Sequence, residues 1–517
     1  MKMEQTRHTI ALAATAFCLA ALSGCTVGPK YHVPAPAQAP PAAYKETPQS
    51  GDGWQVAQPG DAMLRGKWWE VFGDPELNAL EDQLNINNQN IRQYFEQYME
   101  ARALVRQARS EYFPTVTIGP SFNRQRSSSN LKNSTATNGS TSTGTGTGVA
   151  TNTGSESTLW SMPLDISWEP DLWGKIRNYV KEEQAAAQLS AADLENERLT
   201  EQASLAQYFF EVRGQDALIQ VYNETVDADK KSLAYTQSQY DTGVGDQISV
   251  VEAQNTVQTA TATATNLQVA RAQYEHAIAV LVGKNASDFS IPVKPLLVAP
   301  PPIPLGMPSA LLQRRPDVAA AERTMAQANA EIGIGYAAFL PSLTLTADGG
   351  FEASSFKHWF DWPSRFWSVG PSFSQTIYDG GLFRAELNQY ISIYNADVAS
   401  YRQTILTAFQ QVEDYLAAVR VYSNQIKQQQ AAVDSAKKYI ELEQARYDTG
   451  IDPYVDVVTA QTTLLADRQT LTTLQVEQMT ASVELIQALG GGWDVSQLPT
   501  NSQITAKPSK ADTKQDR

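Results

Sequence analysis

The sequence predicts a mainly α-helical chain with a smaller β component of membrane type, built from two copies of one unit. Three observations predict it. Residues 171–283 align with 378–490 without a gap, at a constant offset of 207. Each copy begins with a segment of about 70 residues rich in Ala, Gln and Glu and free of interior proline, too long for a helix of a compact globule. Ahead of each lies a pair of segments in which apolar and polar residues alternate with period two.

The 517 residues could hold two to four ordinary domains. A formal charge of −15 and a pI near 4.9 exclude nucleic acid as a partner, because phosphates need a basic footprint. Residues 1–24 are a secretory leader: Lys2 and Arg7 precede an apolar run from Ile10 to Leu22. That run is shorter than the roughly 20 residues of a spanning helix. Leu22-Ser23-Gly24-Cys25 resembles a bacterial lipobox, which implies cleavage before Cys25, lipidation of its thiol and export to the outer membrane. Cys18 leaves with the leader, so the mature chain has no internal disulfide. Residues 25–66, rich in Pro, Ala and Gly, read as an extended tether.

Ordered structure starts with 67–112, where Asp74 is placed to cap a helix, Pro75 to open it, and the helix to run to about Tyr112. The first strand pair and its connecting loop occupy 113–170, and the first helical hairpin 171–283. A proline-rich linker at 284–316 leads to a second helix at 317–340, a second strand pair at 341–377 and a second hairpin at 378–490. The remainder, 491–517, reads as an equatorial and disordered tail, rich in Pro, Ser, Lys and Asp after Trp493. Phe113-Pro114-Thr115 matches Leu340-Pro341-Ser342 at a different offset, which the loop lengths explain.

In the strand pairs, Trp160, Met162, Leu164, Ile166 and Trp168 alternate with Ser161, Pro163, Asp165 and Ser167. Trp367, Val369, Pro371, Phe373 and Ile377 alternate likewise with Ser368, Gly370, Ser372, Ser374 and Thr376. A one-sided soluble sheet has the same alternation. Aromatics at the strand ends (Trp359, Phe360, Trp362, Phe366, Trp367) and a Ser/Thr/Gly/Asn connector from Arg124 to Thr158 favour a membrane barrel with an extracellular loop. Large apolar residues are sparse in the long helices, which suits a wall one helix thick with water on both sides.

Tyr240-Asp241-Thr242-Gly243-Val244 and Tyr447-Asp448-Thr449-Gly450-Ile451 separate the long and short helical segments of the two copies and read as hairpin tips. Their glycines make the turns. Asp456 begins the helix after the second tip, where a carboxylate favours the positive helix end by about 0.3–1 kcal/mol. Position alone does not separate that role from a functional one. No catalytic constellation is present: His8, His32, His276 and His358 are far apart in sequence, and Gly283-Lys284-Asn285 lacks the glycine and hydroxyl of a phosphate loop. No cofactor, metal or enzymatic activity is expected.

Trp68-Trp69 with Asp74-Pro75-Glu76-Leu77, Asp171-Leu172-Trp173-Gly174-Lys175, Arg314-Arg315-Pro316-Asp317, Tyr447-Asp448-Thr449-Gly450 and Ala488-Leu489-Gly490-Gly491-Gly492-Trp493 together resemble the outer-membrane factor family. The closest likeness is to its lipoprotein branch, which serves multidrug efflux systems. Four strands cannot close a barrel, and open edges cannot face lipid, so the barrel must be shared between copies. Two copies would give eight strands and three would give twelve. The resemblance implies a homotrimer: a 12-stranded β-barrel, four strands per protomer, continuous with a long periplasmic α-helical barrel.

Further expectations come from the same resemblance. Val455 and Asp456 match gate positions at the periplasmic mouth, with Thr459 at the second ring position, an aspartate in the best-studied member. Tyr447 and Glu252 match a latch between helical pairs, in which Asp452 stands where that latch has an arginine. Thr242, Gly243, Val244, Thr449, Gly450 and Ile451 would dock a periplasmic adaptor (membrane fusion) protein, joined to an inner-membrane pump of the resistance-nodulation-division type. The function implied is a passive exit duct for drugs or other small molecules. A membrane-tethered coiled-coil lipoprotein without a pore is the alternative, and the alternating strand pairs speak against it.

Overall fold

The computed structural model describes residues 26–46, 66–126, 128, 156–296, 299–301, 303 and 308–506. Cys25, most of the connector after residue 126 and the tail after residue 506 lie outside them, whereas 494–506, expected to be disordered, is held by Arg102 bonds to the Gln503, Ile504 and Ala506 carbonyls and has a short helix at Asn501–Thr505. The chain forms two compact units, one on Arg106–Glu182 and Asn329–Ile391 with the residues up to Lys30, the other on Tyr31–Val105, Glu183–Ala328 and Ser392 onward.

The first unit holds one antiparallel sheet of β1 (Thr115–Ile118), β2 (Ser121–Arg126), β3 (Glu156–Trp168), β4 (Ser342–Ala353) and β5 (Arg365–Ser374). β1 and β2 are one interrupted track. Ile118 pairs with Leu164 and Ser121 with Ser161, so the register on β3 is unchanged across the gap. The gap falls where Pro120 and Pro163, which lack N–H donors, would face the ladder; Gly119 N donates to the Pro163 carbonyl at 3.3 Å. The sheet therefore has four tracks. Among the described residues the β1–β2 edge and the outer edge of β5 pair with no further strand.

Register settles the faces. Ile166 lies between Val116 and Ala347, and Ala347 lies beside Val369; Leu345 joins Trp168 to Pro371. This face is apolar and open, with Trp367 77% and Val369 72% exposed. The other face is polar and bonded to itself: Ser368 donates to Asp348 at 3.1 Å and Ser161 to Glu352 at 3.3 Å. β5 stops at Ser374, opposite Ser342, because the next partner would be Pro341. Thr376 and Ile377, expected within the alternation, therefore lie beyond the strand. The strand-end aromatics divide: Trp160, Phe356, Trp359 and Phe360 pack together, with Trp359 and Phe360 stacked at 4.8 Å, whereas Trp362 and Trp367 stay exposed.

The helices are α1 (Pro75–Asn87), α2 (Gln89–Ser110), α3 (Lys175–Asp241), α4 (Gln247–Leu281), α5 (Pro308–Arg314), α6 (Pro316–Ala338), α7 (Leu382–Asp448), α8 (Tyr454–Ala488) and α9 (Asn501–Thr505). α3 and α7 have 67 residues each, and α4 and α8 have 35 each, so the offset of 207 extends to every helix end. Asp171 and Asp379 each accept two backbone N–H groups at the starts of α3 and α7. Asp74 caps α1 as expected, through Glu76 N at 2.9 Å and Leu77 N at 3.4 Å.

The single helix expected from there to Tyr112 is two. Asn88 is extended, and its Oδ1 accepts from Asn90 N and Ile91 N to start α2. Its Nδ2 donates to Leu281 O at 3.0 Å, the last carbonyl of α4. In the other repeat Arg315 Nη1 donates to Ala488 O at 2.9 Å, the last carbonyl of α8, while its Nε and Nη2 clasp Asp317. Gly283 and Gly490, both at positive φ, follow these ends, and each turns its Cα toward a carbonyl, Asn87 O and Arg314 O respectively. A methyl on Gly490 would stand 2.1 Å from Arg314 O. These contacts sit in the main core of the second unit, around Trp68, Leu77, Leu84, Leu205, Phe209, Ile278, Met325, Ile405, Leu416 and Ile486. Trp68 Nε1 donates to Gln202 there.

The described part of the expected tether is extended but bound. In the first unit Val27 N donates to Trp173 O, and Asn178 and Asn329 donate to Val27 O and Pro29 O. In the second, Tyr31 donates to Glu322, Arg402 to Ala35 O, and Glu413 accepts from Lys45 N at 2.8 Å and Glu46 N at 3.0 Å. Arg420 then pairs with Glu46. Its repeat counterpart Arg213 is held by Glu76 and the Pro292 carbonyl. The N-terminal strap thus occupies on one repeat a place filled on the other by α1 and the linker. Glu413→Ala is expected to speed tryptic cleavage after Lys45 by about tenfold, the worth of charge-assisted hydrogen bonds at a partly exposed site; an unchanged digestion rate would show that those bonds do not hold the strap.

Candidate functional site

The two hairpin tips share one turn and differ in how the next helix begins. At the first, Gly243 adopts φ 76°, Gly243 N donates to Tyr240 O, and Val244 N to Gln239 O, both at 2.9 Å. At the second, Gly450 adopts φ 72°, Gly450 N donates to Tyr447 O and Ile451 N to Arg446 O, again at 2.9 Å. These bonds satisfy the last carbonyls of α3 and α7 and require the left-handed residue that glycine provides. Thr242 and Thr449 bond their hydroxyls back to the preceding helical turn, which leaves Val244 (81% exposed) and Ile451 (65%) at the apices.

Asp246 caps α4, accepting from Ser249 N at 2.9 Å and from its hydroxyl at 3.0 Å. Those bonds hold its carboxyl below the ordinary range. Its repeat counterpart is Pro453, which offers α8 no side-chain cap. Instead Asp452 forms an ion pair with Arg446, across the turn of the same tip. The Arg446 hydrogen bond holds the Asp452 carboxyl low.

The expected gate residues separate into two groups. Val455 and Thr459 lie one turn apart on an exposed face of α8, and the Thr459 hydroxyl donates to Val455 O at 2.8 Å. Asp456 is half-buried, and its carboxylate lies near those of Glu443 and Asp452, oxygens of the three within 4.8 Å of one another. The opposite face of α8, Tyr454, Val457 and Ala460, is buried.

The expected latch is assembled differently. Tyr447 donates to Gln239 Oε1 at 2.6 Å, which ties the end of α7 to the end of α3, and Glu252 is not its partner. Asp452, standing where the latch arginine was expected, meets an arginine six residues earlier in its own chain. Three further residues complete the site. Tyr454 packs its ring 5.2 Å from Tyr447, its hydroxyl lies 2.9 Å from Ser232 Oγ, and burial pushes that hydroxyl's pKa up. Asp229 lies buried on α3 one turn before Ser232. A comparison of the two repeats position by position would have marked two of them, since Tyr454 faces Gln247 and Asp229 faces Ala436 across the offset.

Among the described residues the repeated elements are two helical hairpins of equal length with glycine tips, beside one sheet with an apolar and a polar face. The sequence profile of the outer membrane efflux protein family matches residues 80–284 and 307–491, and the chain belongs to that family. Its place is the outer membrane. The chain is 33% identical over 494 residues to the solvent efflux pump outer membrane protein SrpC of Pseudomonas putida, spanning 93% of this chain and 98% of that one. It is 29% identical over 484 residues to OprJ of Pseudomonas aeruginosa, spanning 92% and 94%. The fold superposes on the outer-membrane channel OprN with a TM-score of 0.80 at 26% identity, covering 91% of this chain and all of that one. On the CmeC channel of Campylobacter jejuni it superposes with a TM-score of 0.80 at 22% identity, covering 95% and 99%.

Tyr447→Phe and Gln239→Ala are each expected to raise amide exchange of residues 447–454 roughly fivefold, the worth of one hydrogen bond of about 1 kcal/mol. Glu252→Ala should leave it unchanged. Faster exchange in the Glu252 variant alone would restore the latch first expected.

Proposed function

We propose that the chain is the passive exit duct of a tripartite efflux system, working as a homotrimer. The observation that carries this is the four-track sheet with two unpaired edges, one apolar face and one polar face. In lipid every edge N–H and C=O needs a partner, and edge pairing between copies supplies it without covering the polar face. Three copies would give 12 strands. The apolar face, with Trp367, Val369 and Phe373 exposed, then meets hydrocarbon, and the Ser/Thr/Asp face lines water. The duct needs no energy source of its own, so an inner-membrane pump of the resistance-nodulation-division type supplies it through a periplasmic adaptor.

Val244 and Ile451, exposed at the apices, are the apolar contacts for that adaptor, with the Thr-Gly turns around them as the docking loops. Val455 narrows the mouth, and Asp456 of each copy gives it a negative ring, with Thr459 above. A lipidated Cys25 anchors the complex, and the strap of residues 26–46 carries the chain from that anchor to the body. The cargo is small organic molecules of the kind for which relatives are named, solvents, toluene and antibiotics among them.

The purified full-length protein is expected to run as a heat-dissociable trimer and to conduct in planar bilayers with preference for cations. Asp456→Ala should lower that preference several-fold. A monomer that never conducts would overturn the duct; an unaltered selectivity would remove Asp456 from the mouth. Deletion of the gene should lower the tolerated concentration of toluene and of several antibiotics.

A further inference from the structure

α3 meets α8 along a stripe that runs Tyr222, Val226, Asp229, Ser232 and Thr236. Tyr222 donates to Gln469 at 3.2 Å and Ser232 bonds Tyr454; both partners are on α8. Within this seam Asp229 is 2% exposed, and neither of its carboxylate oxygens has a hydrogen-bond partner. Burying a charge without a partner is costly, and the group responds by holding its proton. Burial pushes its carboxyl up from 3.8 to about 6.

The duplication provides an internal control. Position 226 is Val in one repeat and Val433 in the other, both buried, whereas Asp229 corresponds to buried Ala436. A small apolar residue therefore satisfies the packing at this point of the long helix. The carboxyl is an addition made only in the repeat whose end is tied to the second tip through Tyr447 and Tyr454.

We propose that Asp229 sets the resting position of the second tip: protonated, it lets the α3–α8 seam close, and ionised, it favours a seam opened to water. This rests on the reading of that tip as the gate. Ionisable groups on the surrounding elements do not neutralise it. From α8 come Tyr454 and Arg468, the latter engaged with Glu224 at 3.4 Å. α7 presents Tyr447. α4 carries Glu252 near its start and then no ionisable side chain before Arg271, which is paired with Asp216. On α3 itself Lys230 pairs with exposed Asp227.

The sign follows from the two states. A hydrated carboxyl titrates near 3.8 and the buried one near 6, so the closed seam is fully favoured below about 4 and loses that advantage as pH rises to about 6. Above this the bias toward opening is constant. Its ceiling is the ratio of the two acid constants, about a hundredfold per protomer.

The test compares full-length wild type with Asp229→Ala, the residue of the other repeat, and Asp229→Asn, in planar bilayers from pH 4 to pH 7.5. Exchange of amides 454–460, corrected for intrinsic pH dependence, is followed alongside. Wild type is expected to open more, and to exchange faster at 454–460, at pH 7.5 than at pH 4, by tenfold or more. Both variants should keep the low-pH values throughout. Because the variants retain Asp456, Glu443 and Asp452, an equal pH response in wild type and variants would overturn the proposal. A wild type that does not conduct would instead count against the duct, and the exchange measurement would still decide the role of Asp229.

Discussion

The ends of the two return helices are the constraint on which the helical part depends. α4 and α8 each finish against the main core, and their last carbonyls, left without partners in their own helices, must find donors. Asn88 supplies one and Arg315 the other, and each also organises the start of the next element, α2 through an Asn cap and α6 through the Arg315–Asp317 clasp. Glycine follows in both cases because the chain must turn against a neighbouring carbonyl with no room for a side chain. With those ends held, helices of equal length bring both tips to equivalent turns.

Equivalence of the turns makes their differences informative. At the first tip Asp246 caps its own helix through Ser249. At the second, Pro453 has replaced the capping aspartate, and closure is delegated to the Arg446–Asp452 pair, the Tyr447–Gln239 bond and the Tyr454–Ser232 bond. Two of those three reach from one repeat to the other. A tip held by bonds to a neighbour can be released by moving that neighbour, whereas a tip held by its own cap cannot. A few substitutions therefore make the two tips of a duplicated fold unequal, which is the asymmetry the proposed gate would need.

The strap shows the same economy. Arg213 and Arg420 are one residue duplicated, and each needs a carboxylate. Helix α1 provides Glu76 for the first, while the N-terminal segment provides Glu46 for the second. A stretch whose composition reads as a free tether is thereby made part of the body. Composition reports the absence of core-forming residues, and carries no information about backbone hydrogen bonds to distant acceptors such as Glu413.

Periodicity and duplication determined the long helices, the alternating strands and the glycine turns, because each of these depends on spacing along the chain. The break at Asn88 was also within reach. Asn87-Asn88-Gln89-Asn90 stands to Arg314-Arg315-Pro316-Asp317 at the offset, 227, that relates Phe113-Pro114 to Leu340-Pro341, but without a proline the boundary does not announce itself. Candidate gate positions were legible as positions: Val455, Asp456 and Thr459 do begin the helix after the second tip. Their partners were not. That Tyr447 bonds Gln239 and not Glu252, and that Asp229 is buried without a hydrogen-bond partner, were decided only when α3, α7 and α8 packed together. Side-chain pairing across helices depends on the rotation of each helix about its axis, and over 67 residues a sequence specifies which face is apolar far better than which atoms meet.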